Sequence, residues 1–395
     1  MVVRREIAIV GGGLTGLPLA LALRRSGIEA TLIEAKPQGF RAEAGGRVLA
    51  LALGSVRFLE GVGVWSRLNP PPFPIRHIDI SDQGHFGKGR LDCGEMGLPA
   101  FGWTTTASSL EQAMEEAAEK AGIEIFQPAE VVAFERGFRV ARLTLNDGRV
   151  IEAKLVVAAD GDQSKLRRLA GIGVSVRDYR QVAVVSTIRS EVDPGETAFE
   201  RFTPEGPLAL LPVAKGTFSL IWTGRNRGLL RSDRSAFRQA LQQVFGWRLG
   251  RLEEMGRRIA FPLKRVLAHR LFDERLVLIG NAAHRLHPVA GQGLNLGLRD
   301  VMVLAERLED GRRRGVDPGS RVVLESYADR RWGDQKAVVR FCDMLLFGFS
   351  SKNPPLVVAR NLGLWLFDRL PPLKRRLAYW AAGLQAELLP LALVL

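Results

Sequence analysis

The chain has 395 residues, of which 46% are hydrophobic and 25% charged, and its formal net charge is +14. This composition excludes a disordered chain and indicates a globular protein long enough for two lobes. The positive charge is compatible with a nucleic acid, an anionic membrane or an acidic ligand. No zinc-ligand spacing or helix-turn-helix pattern accompanies it, so we expect no nucleic-acid partner.

The two cysteines, Cys93 and Cys342, lie far apart, which excludes a disulfide scaffold and suits a reducing compartment. No long uncharged apolar run is present, so no transmembrane helix is expected, and the first strand begins too early to leave room for a signal peptide. The sequence therefore predicts a cytoplasmic protein, and it shows no spacing typical of a metal site.

The first dense motif follows the first predicted strand. Residues 7–10 are apolar, and Gly11, Gly13 and Gly16 follow at G-x-G-x-x-G spacing. In the dinucleotide-binding fold, the first glycine makes the tight turn, the second lets a diphosphate approach the backbone, and the third allows close packing of helix on strand. A helix over residues 17–26 then offers its N-terminal amides and positive dipole end to the phosphates.

A second buried strand over residues 30–34 ends in Glu34. A carboxylate about 20 residues after the glycines accepts hydrogen bonds from a ribose diol, and it favours NAD or FAD over a 2′-phosphorylated ribose. Two strands, a helix and an acid in this order predict a dinucleotide site; the alternative is a glycine-rich turn in another α/β protein. The residues assigned to this site are Gly11, Gly13, Leu14, Thr15, Gly16 and Glu34.

Two further positions are predicted to face the nucleotide. Arg47 lies where the long loop 35–46 returns toward it, and a contact with phosphate or with the cofactor ring is one interpretation, a solvated arginine the other. A buried strand over residues 155–159 ends in Asp160 and Gly161. Because open α/β sheets bind ligands at the carboxyl ends of their strands, both residues are expected at the cofactor.

The middle of the chain changes character. Residues 69–74 are rich in proline and indicate a crossing between lobes, and residues 75–93 alternate like a β-hairpin. Strands separated by Pro/Gly turns over residues 182–222 predict an antiparallel sheet and hence a second lobe. The chain is expected to return to the first lobe at residues 275–280.

A second glycine motif follows that returning strand and precedes a helix that starts near Leu296. Backbone amides at such a helix N-terminus stabilise negative charge on a bound ring. Alone, the pattern is an ordinary strand-loop-helix; with the first motif, it predicts a second contact with the same cofactor. The residues assigned to it are Gly280, Asn281, Ala282, Ala283, Gly291, Gln292, Gly293, Leu294 and Asn295.

The last 55 residues, 341–395, are predicted to be helical. Apolar and aromatic residues such as Trp365 and Leu366 alternate there with basic ones such as Arg369 and Arg375. This pattern is typical of a helix that lies on an anionic membrane surface. The alternatives are a helix hairpin packed on the core and a contact between two copies of the chain.

Together these patterns predict an α/β fold, with a Rossmann-like cofactor domain, an antiparallel-sheet substrate domain of α+β type and a C-terminal helical tail. The expected divisions are 1–74, 101–180 and 271–340 for the cofactor domain, 75–100 and 181–270 for the substrate domain, and 341–395 for the tail.

Three motifs in this order resemble the FAD-dependent aromatic hydroxylases of the para-hydroxybenzoate hydroxylase type: residues 7–16, residues 160–161 and residues 280–295. Within that family the chain is most similar to the ubiquinone-biosynthesis hydroxylases. The segments that carry this closer similarity are residues 200–212, 286–297 and 327–334.

The resemblance implies that FAD binds in the first domain and that NAD(P)H reduces it without a nicotinamide domain of its own. It further implies that O2 forms a flavin C4a-hydroperoxide, which hydroxylates a prenylated phenol or quinone precursor in ubiquinone biosynthesis. The loop 288–293 is then expected beside the isoalloxazine, and His287 and Pro288 are the catalytic candidates. A histidine that is packed for structural reasons is the alternative for His287.

A lipid-soluble substrate also implies that the enzyme works as a peripheral protein on the inner face of the membrane, with partners in a ubiquinone-biosynthesis complex. One departure concerns Asn281, which stands where the superfamily usually has an acid. An amide can still hydrogen-bond a ribityl or phosphate group. The rival interpretations are a flavin NAD(P)H oxidase or reductase that does not hydroxylate, and a non-catalytic FAD-binding subunit of a biosynthetic complex.

Overall fold

The structure, a computed structural model, describes residues 2–37, 39, 46–225, 228 and 232–384. Part of the predicted loop 35–46 and residues 385–395 of the predicted tail lie outside the described residues.

Twenty strands lie in this part of the chain: β1 (Val2–Val10), β2 (Ala30–Ile33), β3 (Val48–Ala52), β4 (Phe73–Ile75), β5 (His77–Asp82), β6 (Lys88–Asp92), β7 (Gly102–Thr106), β8 (Glu124–Phe126), β9 (Val131–Glu135), β10 (Ala141–Leu145), β11 (Val150–Ala158), β12 (Val174–Ser190), β13 (Thr197–Phe202), β14 (Leu208–Ala214), β15 (Thr217–Gly224), β16 (Leu252–Glu254), β17 (Ile259–Ala268), β18 (Phe272–Asp273), β19 (Leu276–Leu278) and β20 (His284–Arg285).

Nine α-helices accompany them in the described residues: α1 (Gly16–Arg25), α2 (Leu53–Gly61), α3 (Ala107–Lys120), α4 (Lys165–Leu169), α5 (Arg234–Phe245), α6 (Gln292–Arg313), α7 (Arg321–Ser350), α8 (Pro354–Arg369) and α9 (Pro371–Ala381).

The first sheet has eight strands with a parallel centre, in the order β18-β19-β11-β1-β2-β8, and β10 and β9 extend it from β11. β1 pairs in parallel with both β2 and β11, and β11 pairs in parallel with β19. The central strands are apolar without alternation because helices cover the sheet, and Ile7, Ile9 and Leu155 are completely buried. The carboxyl ends of these parallel strands form one edge, from which both glycine motifs leave.

The second sheet has nine strands in the order β20-β17-β12-β15-β14-β13-β5-β6, with β16 paired to β12. Its pairs are antiparallel apart from β13 with β5. One face is apolar and packs on α5, with Phe199, Leu220 and Phe237 in one buried cluster. The predicted α/β fold with an antiparallel second lobe is therefore confirmed, and the opposite face of this sheet is left to line a cavity.

A small sheet of β3, β7 and β4 joins the two lobes. The expected division into domains stays a prediction, and we propose it as the functional partition of the chain. One of its boundaries falls within a continuous element, because α7 runs from Arg321 to Ser350 across positions 340 and 341.

The C-terminal helices are attached to the second sheet by a buried polar cluster. Asn361 of α8 accepts a hydrogen bond from the amide of Gly87 at 2.8 Å and donates to Asp82 at 3.0 Å. Arg360 also donates to Asp82, at 2.8 Å, and to the carbonyl of Ser351 just after α7, at 2.7 Å. Asn361 and Asp82 are buried and Arg360 is partly buried, so these hydrogen bonds stabilise the docking of α8.

We expect Asn361→Ala to lower the free energy of unfolding by about 2–3 kcal/mol, because it leaves a buried amide and a buried carboxylate each short of a partner. Chemical denaturation measures this loss. The matched control is Asn353→Ala, since Asn353 is exposed before α8 and its side chain makes no capping hydrogen bond. Equal stability losses in the two variants would contradict the role given to Asn361.

Candidate active site between the two sheets

A cavity of about 680 Å³ lies between the carboxyl edge of the first sheet and the open face of the second. Its volume is in the range of ligand pockets. One half of the wall is formed by the two glycine motifs with charged and apolar residues near them, and the other half by the second sheet. The second sheet contributes the charged residues Lys264 and Arg285 and six apolar residues: Ala183, Val185, Leu211, Ile221, Phe261 and Leu263.

The first glycine motif has the close contacts that its spacing predicts. Gly11 has φ +108°, and a Cβ there would come within 2.4 Å of the Ala159 carbonyl oxygen. A Cβ on Gly16 would lie 1.8 Å from the carbonyl oxygen of Gly11, so only glycine allows α1 to pack this closely on β1. Gly13 differs: a Cβ there would meet no atom of the described residues within 4 Å, and it would point into open space.

Glu34 lies at the rim of the cavity and is fixed by backbone amides. Its Oε2 accepts a hydrogen bond from Gly12 at 2.6 Å, and its Oε1 accepts one from Lys36 at 2.8 Å. Each carboxylate oxygen keeps a further acceptor position. The arrangement therefore holds the glycine loop in place and still presents the carboxylate to a ribose diol.

The second glycine motif touches the first through Thr15. A Cβ on Gly280 would come within 2.8 Å of the Thr15 methyl group, and one on Gly297 within 3.0 Å of the same atom. Gly280 also has φ +57°. The contact and the positive φ favour glycine at position 280, and the contact at position 297 leaves little room for a side chain. The two loops therefore lie side by side at the end of the first sheet.

Below the second loop, Asp300 of α6 joins three elements. Its Oδ2 accepts hydrogen bonds from the amide of Gly280 at 2.9 Å and from His284 Nε2 at 2.6 Å. Its Oδ1 accepts from Arg331 Nε at 2.6 Å and from Gln335 at 3.1 Å, both on α7. Burial opposes ionisation of Asp300, but the charges and hydrogen bonds of His284 and Arg331 lower its pKa well below the ordinary value.

His284 is therefore a supporting residue, and it is absent from the cavity wall. Neither Asp300 nor Arg331 was assigned a role from the sequence. The available signal was weak: Arg331 and Asp334 stand in the segment 327–334 that carries the closer resemblance, and only the fold brings Arg331 to Asp300, 31 positions away.

Asp160 and Arg47 both lie on the cavity wall. Asp160 accepts hydrogen bonds from Ser164 at 2.5 Å and from the amide of Leu166 at 3.0 Å, so it is held by the start of α4. Burial lowers the pKa of Arg47, the carboxylate of Glu111 opposes this, and the charge of Arg285 adds to it. Arg47 is nevertheless an exposed residue of the cavity wall, so its contact with a cofactor stays a prediction.

His287 and Pro288 lie together on the wall, at the start of the loop 288–293. The His287 ring is buried, its Nδ1 accepts a hydrogen bond from the amide of Val289 at 3.2 Å, and its edge meets the Tyr179 ring at 5.1 Å between centroids. An Nδ1 that accepts places the proton on Nε2, and Nε2 has no partner among the described residues. Burial lowers the His287 pKa to about 4, so the ring is neutral near pH 7.

The structure brings most of the predicted site residues to this one cavity. Those on its wall are Gly11, Gly13, Leu14, Thr15, Glu34, Arg47, Asp160, Gly161, Gly280, Asn281, Gly291, Gly293, Leu294, His287 and Pro288. Five others do not line it: Gly16, Ala282, Ala283, Gln292 and Asn295. For all of these residues, on the wall or off it, contact with a cofactor stays a prediction.

Asn295 shows why a residue in the motif need not face the cavity. Its Oδ1 accepts hydrogen bonds from the amide of Ala52 and the hydroxyl of Ser55, both at 2.8 Å. Its Nδ2 donates to the carbonyls of Ala50 and Gly291, both at 2.9 Å. The side chain therefore ties the start of α6 to β3.

The cavity wall fits an extended dinucleotide such as FAD. Gly13, Gly161 and Gly293 all line it, and a Cβ at each would meet no described atom within 4 Å, so backbone is exposed at three separate points. α1 and α6 both begin at the cavity without a side-chain cap. Uncapped first-turn amides bind phosphate or a negatively charged ring.

Comparison with known proteins agrees with this geometry. Residues 4–342 match the family described as FAD binding domain. The ubiquinone hydroxylase UbiL of Rhodospirillum rubrum is 37% identical over 389 residues, which cover 96% of this chain and 89% of that protein. The 3-demethoxyubiquinol 3-hydroxylase of Escherichia coli is also 37% identical over 389 residues, which cover 96% of this chain and 98% of that protein.

Solved structures share the fold at lower identity. The p-nitrophenol 4-monooxygenase PnpA of Pseudomonas putida superposes with a TM-score of 0.80 at 17% identity, over 97% of this chain and 99% of that chain. PqsL of P. aeruginosa gives a TM-score of 0.77 at 23% identity, over 92% of this chain and 99% of that chain.

The chain belongs to the FAD binding domain family, and FAD is its cofactor. Within that family, its similarity to the ubiquinone-biosynthesis hydroxylases is confirmed.

We expect Gly13→Val to weaken FAD binding at least tenfold without lowering the stability of the cofactor-free protein, because the added side chain points into the cavity rather than into the protein. Fluorescence titration with FAD and thermal unfolding measure the two effects. Gly333→Val is the matched control, since Gly333 is exposed on α7 and equally free of neighbours. Unchanged FAD affinity in Gly13→Val would contradict the assignment of this wall to the diphosphate.

Proposed function

We propose that this protein is an FAD-dependent monooxygenase that hydroxylates a prenylated phenol or quinone precursor in ubiquinone biosynthesis, with NAD(P)H as reductant. The observation that carries the proposal is the two-sided cavity. Backbone amides and charged groups line the side toward the first sheet, and apolar side chains of β12, β14, β15 and β17 line the other. Relatives of the chain are named as ubiquinone hydroxylases.

FAD supplies the redox chemistry, namely acceptance of hydride from the reductant and activation of O2. The protein positions the cofactor and the substrate relative to each other. Glu34 and Gly13 would hold the adenosine and diphosphate end at the first loop, and the loop 288–293 would hold the ring end at the start of α6. Because Thr15 packs on Gly280, the two ends of the site have a fixed separation.

The second sheet supplies the substrate side. Val185, Leu211, Ile221 and Phe261 form an apolar wall that orients a prenylated ring and keeps water from the reacting face. His287 contributes a neutral N–H donor from Nε2 at the junction of the two halves. With its Nδ1 already accepting a hydrogen bond, His287 orients a substrate oxygen but does not act as a base near pH 7.

The decisive experiment measures oxygen transfer. The protein reconstituted with FAD is supplied with NAD(P)H, 18O2 and a short-chain prenylphenol, and the product mass is determined together with NAD(P)H consumption. We expect phenol-stimulated NAD(P)H oxidation and one 18O atom in the product. His287→Ala should lower the hydroxylation rate roughly tenfold, because one oriented hydrogen-bond donor is lost.

Two other outcomes would favour the rival functions. Rapid NAD(P)H oxidation that is independent of the phenol, with peroxide and no labelled product, indicates an oxidase or reductase. Bound FAD that no NAD(P)H reduces, with any phenol present, indicates a non-catalytic FAD-binding subunit of a biosynthetic complex.

We also propose that the C-terminal helices bind an anionic membrane surface, on the inner face of the membrane, where a lipid-soluble substrate is found. No helix in the described residues is long and apolar enough to cross a membrane. On α8, Val358, Leu362, Trp365 and Leu366 form an exposed stripe at helical spacing, each more than 40% exposed. The guanidinium of Arg369 lies 4.1 Å from the Trp365 ring, as expected for an interfacial pair.

We expect the double substitution Leu362→Asp/Leu366→Asp to abolish sedimentation with phosphatidylglycerol vesicles while FAD stays bound, because it places two charges in the apolar stripe. Val322→Asp is the matched control. Val322 is 72% exposed, but it lies in the first turn of α7, at the end of that helix opposite to the one that leads into α8. Substitutions are preferable to deletion of the C-terminal helices, because Phe367 and Asn361 of α8 are buried and a deletion would also remove their contacts with the rest of the protein. Unchanged sedimentation of the double variant would contradict the membrane assignment.

A further inference from the structure

One glutamate lies on the cavity face of the second sheet. In β13, side chains alternate between the two faces. Phe199 belongs to the buried cluster that packs on α5, and Phe202 belongs to a cluster on the opposite side with Val289, next to the cavity loop. Glu200 therefore shares the face of Phe202, toward the cavity side of the sheet.

The strand register places Glu200 in line with the apolar wall. Val185 pairs with Ile221, Ile221 with Ala209, and Ala209 with Glu200. Val185 and Ile221 line the cavity. Two strand spacings, about 10 Å, separate the backbone of Glu200 from that of Ile221. Glu200 is not itself on the cavity wall, and the residue between it and Ile221 is alanine, a small side chain across which the glutamate would reach the wall.

Glu200 has no hydrogen-bond or ion-pair partner for its carboxyl group among the described residues, and it keeps partial exposure. Other buried carboxylates differ: Asp300 binds His284 and Arg331, and Asp82 binds Arg360. An unpaired carboxylate in an enclosed place is unfavourable, and such groups concentrate at functional sites.

The surroundings of Glu200 carry little charge. Along β13 and across to its two neighbouring strands, the adjacent positions on this face are Ala198, Phe202, Ala209 and Ile80, which do not titrate. Asp82, further along β5, is neutralised by Arg360.

The titratable groups on the helix side lie on α7. They are Cys342, whose pKa is raised to about 12 by burial and by the charges of Asp343 and Glu200, and Asp343 itself, which is paired with Arg177 and Arg265. Burial, with no opposing charge, raises the Glu200 pKa to about 7.

We propose that Glu200 is the base that accepts the ring-hydroxyl proton of the phenolic substrate, an inference that rests on the proposed function. In this step the phenol O–H bond breaks, its electron pair stays on the ring oxygen, and the proton forms a new O–H bond on the carboxylate. The phenolate is the more electron-rich ring for attack by an oxygen electrophile. His287 cannot replace Glu200, because its Nδ1 is engaged by the amide of Val289.

Glu200→Gln tests the assignment in the FAD-loaded protein. The wild-type hydroxylation rate should increase with pH, and this rising limb of the pH–rate profile should have its midpoint near pH 7, where Glu200 ionises. The variant should lack the rising limb, and at about pH 8 its rate should be roughly 100-fold lower than that of the wild type. FAD binding and flavin reduction by NAD(P)H should not change. Glu253→Gln is the matched control, because Glu253 is an exposed strand residue and the same chemical change there should have no effect.

Two readouts do not depend on turnover. The pKa of bound prenylphenol, followed by its absorbance, should be higher in the wild type than in Glu200→Gln, because the ionised Glu200 carboxylate opposes a second negative charge beside it. The second is thermal stability. The Glu200 pKa is higher in the folded than in the unfolded state, so the contribution of Glu200 to stability is fully present below its ordinary pKa of 4.5 and is lost as the pH rises to about 7. Glu200→Gln should therefore raise Tm more at about pH 8 than at about pH 5.

The possible outcomes distinguish a failure of the base assignment from a failure of the proposed function. A wild type that transfers no oxygen, yet whose bound phenol has a higher pKa than in Glu200→Gln, contradicts the proposed function and leaves Glu200 beside the phenol as its base. A wild type that hydroxylates, with an unchanged pH limb in Glu200→Gln, overturns the base assignment alone. Glu200→Asp, which keeps the acid but shortens its reach, should retain the limb at a reduced rate, and it serves if the glutamine variant does not fold.

Discussion

The carboxylate of Asp300 is the interaction on which the cavity depends. It is completely buried, and it binds the amide of Gly280, the ring of His284 and the guanidinium of Arg331 at the same time. These partners belong to the loop after β19, to β20 and to α7, so one side chain joins the elements that form the floor of the site. A buried charge with this many partners is strongly destabilising when one partner is removed, about 3–5 kcal/mol, and the network therefore fixes one arrangement of the loop.

Close packing between the two glycine loops also fixes the distance between the two ends of the site. Thr15 packs against Gly280 and Gly297, where little room is left for a side chain. The turn proposed to receive the diphosphate and the turn proposed to receive the ring thus belong to one packed unit. The second sheet closes this unit with an apolar face that β12, β15 and β14 share, and it places a single unpaired acid, Glu200, in line with that face. A cofactor held on one side and an apolar ring on the other is the arrangement that hydroxylation of a lipid-soluble phenol needs.

Much of this was predictable because local sequence carries it. The spacing of Gly11, Gly13 and Gly16 reflects collisions within a few residues, and the structure shows those collisions at Gly11 and Gly16. The antiparallel lobe followed from turns and short strands. What could not be predicted depends on contacts between distant segments. Arg331 contacts Asp300 only because α7 packs on α6. Asn295 forms hydrogen bonds with the backbone of β3 and does not face the cavity.

Glu200 illustrates the same limit. In the sequence it stands between Phe199 and Arg201 and resembles any polar residue of a half-buried strand. Only the register with Ala209 and Ile221 shows which face it occupies, and only the folded arrangement shows that no cation among the described residues pairs with it. The continuous helix α7 across positions 340–341 was likewise invisible, because its outer face changes from polar to apolar without any break in helix-forming residues.

A crystal structure with FAD and a short-chain prenylphenol tests the central claim most directly. The account predicts the adenosine end at Glu34, the isoalloxazine beside residues 288–293, and the prenyl carbons against Val185 and Ile221 within the same cavity. A structure with the ring system outside this cavity, or with the phenol bound away from the apolar face of the second sheet, would contradict it.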